Sequence, residues 1–225
     1  MQAKRRPIRS YVLRQGRFTE AQKRALEQLW PKYGIDFTEE ALDLDAWFDR
    51  TAPITLEIGF GNGESLLAQA LANPQNNYLG IEVHRPGVGH LLHRAHDAEV
   101  ENLRVINHDA VEVLRQQIPD VSLACVQLFF PDPWHKKRHH KRRIVNPDFI
   151  QLIQRKLEPG GHFHLATDWQ DYAEYMLDLM ENADGFSNTA GEGHFATDTD
   201  RPKTKFEQRG RRLGHGVWDL VFRKD

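Results

Sequence analysis

The sequence predicts an α/β domain built on a mostly parallel sheet with helices on both faces. Three observations predict it. From Pro53 onward, short apolar runs alternate with amphipathic ones. A glycine-rich turn, Gly59-Phe60-Gly61-Asn62-Gly63, joins the first such run to the first such helix. The chain has 225 residues, enough for one domain of this class with a sizeable core.

Residues 1–50 read as a basic N-terminal arm and helical extension, and residues 51–225 as the main domain. In the extension, Thr19 is a plausible N-cap for a helix to about Trp30, ended by Pro31. Phe37–Phe48 reads as a second short helix. In the main domain, strands are expected at Ile54–Gly59, Tyr78–Glu82, Leu103–His108, Val121–Phe130, His162–Ala166 and Val217–Phe222. Helices are expected at Glu64–Ala72, Gly87–Asp97, Ala110–Gln117, Asn146–Leu157 and Trp169–Asn182. Glu158-Pro159-Gly160-Gly161 marks a break before the fifth strand.

The net charge of −2 is uninformative, but the charges are clustered. Residues 1–17 carry Lys4, Arg5, Arg6, Arg9, Arg14 and Arg17 without an acid. His135–Arg143 holds six Lys or Arg and three His, and Arg201–Arg212 is basic again. Three separate basic stretches suggest a face for a polyanion such as nucleic acid. No apolar run approaches a membrane span and the basic N-terminus lacks an apolar signal core, so a cytoplasmic protein with no membrane partner is expected. The single cysteine, Cys125, lies in an apolar run and reads as core. The twelve histidines show no three-ligand spacing, so no metal is expected; His162 and His164 read as packing or orienting groups.

The chemistry gathers at the carboxyl ends of the strands, where open α/β sheets bind ligands. Gly59, Gly61 and Gly63 let the backbone turn tightly beside a ligand. The G-x-G-x-G spacing and the preceding Glu57 depart from the dinucleotide pattern G-x-G-x-x-G. A carboxylate there repels a pyrophosphate and attracts a cation, which points to S-adenosylmethionine over a nicotinamide cofactor. Glu82, at the next strand end, can accept from ribose hydroxyls, and Asp109, at the third, from an adenine amino group. At the fourth strand end, Pro131-Asp132-Pro133-Trp134 is a stiff turn holding an acid and an aromatic, followed by the basic run.

From about Pro53 to Phe222 the chain resembles class I S-adenosylmethionine-dependent methyltransferases. That resemblance implies a Rossmann-like, seven-stranded sheet whose last strand is antiparallel. Pro131–Arg138, with the glycine turn, His164–Trp169 and Thr204–Glu207, more closely resembles the bacterial tRNA (guanine-N7-)-methyltransferase family, the TrmB type. The closer resemblance implies methylation of a guanine in the tRNA variable loop, with Asp132 catalytic. It implies cofactor contacts from Glu57, Gly59, Gly61, Gly63, Glu82, Asp109, Ala110 and Asp132. It further implies substrate contacts from Lys136, Asp168, Thr204, Lys205, Phe206 and Glu207, and RNA contacts from Arg138, Lys141, Arg142 and Arg143. A monomer is expected, with a homodimer as the alternative. The nearest rival is an exocyclic-amine methyltransferase for another RNA or DNA base; its Asp/Asn-Pro-Pro-aromatic turn differs from the Pro-Asp-Pro-Trp order here.

Overall fold

The computed structural model describes residues 9–11, 18–197, 199, 201–202, 207 and 216–225. In chain order the elements are α1 (Glu20–Tyr33), β1 (Gly34–Ile35), α2 (Leu44–Phe48), β2 (Ile54–Ile58), α3 (Glu64–Ala72), β3 (Asn77–Ile81), α4 (Arg85–Asp97), β4 (Leu103–Ile106), α5 (Ala110–Gln116), β5 (Leu123–Phe129), a 3₁₀ turn (Lys137–Arg142), α6 (Pro147–Lys156), β6 (Leu157–Thr167), α7 (Gln170–Glu181), β7 (Phe186–Asn188) and β8 (Trp218–Lys224). The sheet has eight strands in the order β1-β4-β3-β2-β5-β6-β8-β7. All pairings from β1 to β6 are parallel, and β8 runs antiparallel to both β6 and β7. The antiparallel last strand is therefore present, and the count exceeds the expected seven by the edge strand β1.

Two apolar cores cover the sheet. Along β4, Leu103 and Val105 join one cluster and Ile106 the other, as alternation along a strand requires. The N-terminal extension contributes to both: Tyr33 is buried in one, and Ile35, Leu44 and Phe48 in the other.

The extension also departs most from the sequence reading. Thr19 caps α1 through a capping box, its hydroxyl accepting from the Gln22 amide and its own amide donating to the Gln22 side chain. The helix continues past Pro31 to Tyr33 and closes with the Gly34 amide on the Trp30 carbonyl. A proline near the end breaks one backbone bond, and the burial of Tyr33 offsets that loss. Phe37–Phe48 is helical only over Leu44–Phe48. Upstream, backbone groups pair with Gln117 instead: its side chain donates to the Asp36 carbonyl at 2.7 Å, and its carbonyl accepts from the Leu42 amide at 2.8 Å. The break at Glu158–Gly161 is absorbed into β6, exposed over residues 158–160 and buried again at Gly161, because Leu157 already pairs with Leu123 of β5.

The glycine turn is set by packing as well as by φ. Gly59, Gly61 and Gly63 have φ of 73°, 60° and 75°, a region costly for side chains. Helix α4 starts against this turn: a Cβ on Gly87 would sit 2.0 Å from the Gly61 carbonyl oxygen. Gly87→Ala should therefore push the turn outward, costing about 1–3 kcal/mol of stability. Urea denaturation checks this, and an unchanged midpoint would show that α4 can back away freely.

Candidate active site

The carboxyl ends of β2, β3, β4 and β5 lie side by side, so the turns that follow them share one edge. Glu57, near the end of β2, is 3% exposed and one of its carboxylate oxygens, Oε2, has no hydrogen-bond partner among the described residues. Burial, reinforced by the nearby Glu82 carboxylate, raises its pKa to about 8. A buried acid without a partner is costly, and it fits a ligand that brings a positive charge. Above it, a Cβ built on Gly59 or Gly61 would meet nothing within 4 Å, so the turn offers bare backbone to open space.

Glu82 is occupied differently from expectation. Its Oε2 accepts from the Gly61 amide at 2.8 Å, and its Oε1 from the Val83 and His84 amides at 2.7 and 2.9 Å. A carboxylate has about four acceptor positions; one here ties the glycine turn to β3, two close the backbone that follows Glu82 itself, and about one is left open. Asp109 caps α5 by accepting from the Val111 amide at 2.9 Å, and Ala110 begins that helix. Burial, together with the nearby Asp109 carboxylate, raises the Tyr11 pKa.

The Pro131-Asp132-Pro133 turn is strained and braced. Phe130 and Trp134, on either side of it, have φ of 52° and 48°, each a conformation costing about 1–3 kcal/mol in a residue with a side chain. The Phe130 amide is pinned to the Ala166 carbonyl at 2.8 Å. Arg143 donates to the Pro133 carbonyl at 2.9 Å and to Asp171 at 2.6 Å, and its guanidinium lies over the rings of Tyr172 and Tyr175. The Arg143 bond holds the Asp171 carboxyl below the usual range. The Trp134 indole donates to the Ser10 carbonyl at 3.1 Å and stacks under Arg142, which itself donates to the Arg9 and Tyr11 carbonyls. Asp132 is left exposed at the tip of this scaffold.

The structure brings Glu57, Glu82, Asp109, Asp132 and Asp168 to one edge, at the ends of β2 to β6. Lys136, Arg138 and Lys141 are exposed beside Asp132 in sequence, on and just before the 3₁₀ turn. Arg143 departs from expectation. The sequence makes it an RNA contact, but it is 3% exposed and works inward as a strut of the Pro131-Asp132-Pro133 turn. Glu207 is also buried, paired with Arg201 at 2.6 Å. Thr204, Lys205 and Phe206 lie outside the described residues.

Three contributors escaped the sequence reading. Tyr11 lay in an arm without periodicity. Arg201 looked like one more cation in a basic loop. Asp219 carried a usable signal, because an acid inside the apolar run Val217–Phe222 needs a partner.

The family model described as "Putative methyltransferase" matches residues 51–220. A tRNA (guanine-N(7)-)-methyltransferase of Aeromonas hydrophila subsp. hydrophila is 61% identical over 220 residues, covering 97% of this chain and 93% of that protein. The protein of the same name from Cronobacter sakazakii is 60% identical over 218 residues, covering 96% and 91%. The chain belongs to the tRNA (guanine-N7-)-methyltransferase family. The crystal structure of a SAM-dependent methyltransferase from Aquifex aeolicus shares the fold, with a TM-score of 0.53 at 12% identity over 77% of this chain and 82% of that one.

The family's methyl donor suits the residues present. S-adenosylmethionine carries an ammonium and a sulfonium and no phosphate, which matches an unpartnered buried acid beneath an open glycine turn. Among the described residues, no group of three or more His, Cys, Asp or Glu is arranged to hold a metal ion, and no helix is long and apolar enough to cross a membrane.

Glu57 makes stability depend on pH. Between its unfolded pKa of 4.5 and its folded value of about 8, the folded protein holds a proton that the unfolded chain has lost. Stability from this group therefore falls as pH rises through that window, by up to about 1.4 kcal/mol per unit. Glu57→Gln should gain about 2 kcal/mol on the wild type between pH 5.5 and 7.5 in the absence of ligand. Urea midpoints at the two pH values measure it, and parallel curves would contradict the assignment.

Proposed function

We propose that the chain transfers a methyl group from S-adenosylmethionine to N7 of a guanine in the variable loop of tRNA. The observation that carries the reading is one exposed acid, Asp132, on a strained and braced turn at the same sheet edge as the buried Glu57. Relatives at about 60% identity are named tRNA (guanine-N(7)-)-methyltransferase, which supports the guanine-N7 part of the reading. When bound, S-adenosylmethionine supplies an electrophilic methyl on a cationic sulfur.

Guanine N7 has an in-plane lone pair and no hydrogen, so its attack needs no general base. The protein's task is to position the base and to match the charge that develops on it. The methylated guanine becomes cationic, and the Asp132 carboxylate stabilises that charge. Asp168 is half-buried between β6 and α7, and in this reading it holds the base edge. Glu57 answers the ligand's positive charge, Glu82 fixes the glycine turn and reaches a ribose hydroxyl, and Asp109 takes the adenine amino group. Lys136, Arg138 and Lys141 contact the tRNA backbone. The reading keeps the expected monomer, with a homodimer as the alternative, acting in the cytoplasm, where tRNA is found.

Labelled methyl transfer to total tRNA, followed by borohydride–aniline cleavage, tests the reading. Wild type should label tRNA and yield cleavage at a variable-loop guanine. Asp132→Ala should lower the single-turnover rate by about 10²–10³ while tRNA binding persists. Label without cleavage would point instead to an exocyclic-amine product.

The cations give a separate expectation. Neutralising Lys136, Lys137, Arg138 and Lys141 should weaken tRNA binding and flatten its dependence on salt, by roughly 0.9 in log–log slope per lost phosphate contact. An unchanged slope would show the run to be solvated surface. Arg143→Gln should leave that slope alone and lower stability instead, because it removes the brace on Pro133 and Asp171.

A further inference from the structure

We infer that Arg201 is a positioning residue for methyl transfer, acting through Glu207 and through the strand end that carries Asp132. The inference rests on the tRNA-methylation reading above. It starts from a buried polar network on the catalytic side of β6 and β8. The Arg201 side chain is 4% exposed, yet it makes three charge-assisted bonds. Its Nη1 donates to Glu207 Oε2 at 2.6 Å, its Nε to Asp219 Oδ1 at 2.5 Å, and its Nη2 to Asp219 Oδ2 at 2.9 Å. His164 Nε2 lies 2.8 Å from the same Asp219 Oδ1.

Each partner ties a different element to this point. Asp219 is on β8 and pairs with Ala166 of β6, the residue whose carbonyl holds the Phe130 amide. Arg201 and His164 favour its ionised form over the cost of burial, and its pKa falls to about 2. His164 meets the Phe129 ring edge-on at 5.0 Å. The Arg201 guanidinium lies 5.5 Å from the ring centres of both Phe129 and Phe130, within reach of a cation–π attraction. Phe130 is the left-handed residue that starts the Pro131-Asp132-Pro133 turn.

One guanidinium therefore touches both sides of the reaction. On one side it stacks on the strand end that aims Asp132. On the other it fixes the carboxylate of Glu207, which the family resemblance places against the substrate. A planar fork with donors on several edges can do this; a lysine ammonium, a single point on a flexible stem, can satisfy one carboxylate but cannot reproduce the three directed bonds and the stacking. The network spends little of its chemistry on solvent, since Arg201, Glu207, His164 and Asp219 are all largely covered.

A double-mutant cycle between Arg201→Lys and Glu207→Gln tests the inference, with single-turnover methyl transfer at saturating tRNA and S-adenosylmethionine as the main readout. Arg201→Lys should lose about 10- to 10²-fold in rate per folded molecule, as expected for misplaced reacting groups, while its S-adenosylmethionine Kd stays within about two-fold. The double variant should lose less than the product of the two single losses, because both changes break one contact. Folded fraction from thermal melts corrects every rate, so simple destabilisation cannot mimic the result. Arg201→Lys at the wild-type rate per folded molecule would overturn the inference, as would losses that multiply. A wild-type chain that methylates no tRNA would sink the functional reading and the positioning role with it; multiplying losses in an active enzyme would sink the positioning role alone.

Discussion

The architecture turns on one uncompensated group, the buried carboxyl of Glu57. An acid held away from water without a partner is destabilising, and nothing in the packing of β2 requires one. Among the described residues no neighbour bonds its Oε2, which suits a partner brought from outside. The glycine turn leaves open space above the strand end, and Glu82 holds the turn through the Gly61 amide. Gly87 lets α4 close against the turn from behind. A cationic ligand at this point gains an ion pair that the apo protein lacks.

The second half of the site inverts that logic. Asp132 is exposed, and its surroundings are over-determined. Two left-handed residues flank its turn, and strain of that kind persists only where other contacts hold it. Arg143 supplies the contact on one side and the Ala166 carbonyl another, while Trp134 joins the turn to residues 9–11 of the arm. The arm also supplies carbonyls of Arg9 and Tyr11 to Arg142, whose guanidinium lies over the Trp134 ring, so the arm and the turn share a brace. Such rigidity suits a reaction that needs aim more than proton transfer.

The sequence made most of this legible. The helix Glu64–Ala72 was read to the residue, because Gly63 opens it and Asn73-Pro74 closes it. The line of acids along the sheet edge followed from counting strand ends. What escaped has two physical causes. Elements of two or three residues, such as Gly34–Ile35 and Phe186–Asn188, are too short for periodicity to register and exist through tertiary pairing. Charged side chains also do not announce their direction. Arg143 sits in a run with Lys141 and Arg142, yet it points inward, to the Pro133 carbonyl, to Asp171 and to the rings of Tyr172 and Tyr175 on α7. Arg201 was hidden in the same way among the cations of its loop.

The claim that the rest depends on is that Glu57 enters the ligand-bound state ionised and the free state protonated. Calorimetric titration with S-adenosylmethionine at pH 7, in two buffers of different ionisation enthalpy, counts the proton directly. With a free-state pKa of about 8, binding should release close to one proton. The same titration of Glu57→Gln should release none. Wild-type binding with no proton released would contradict the role given to Glu57.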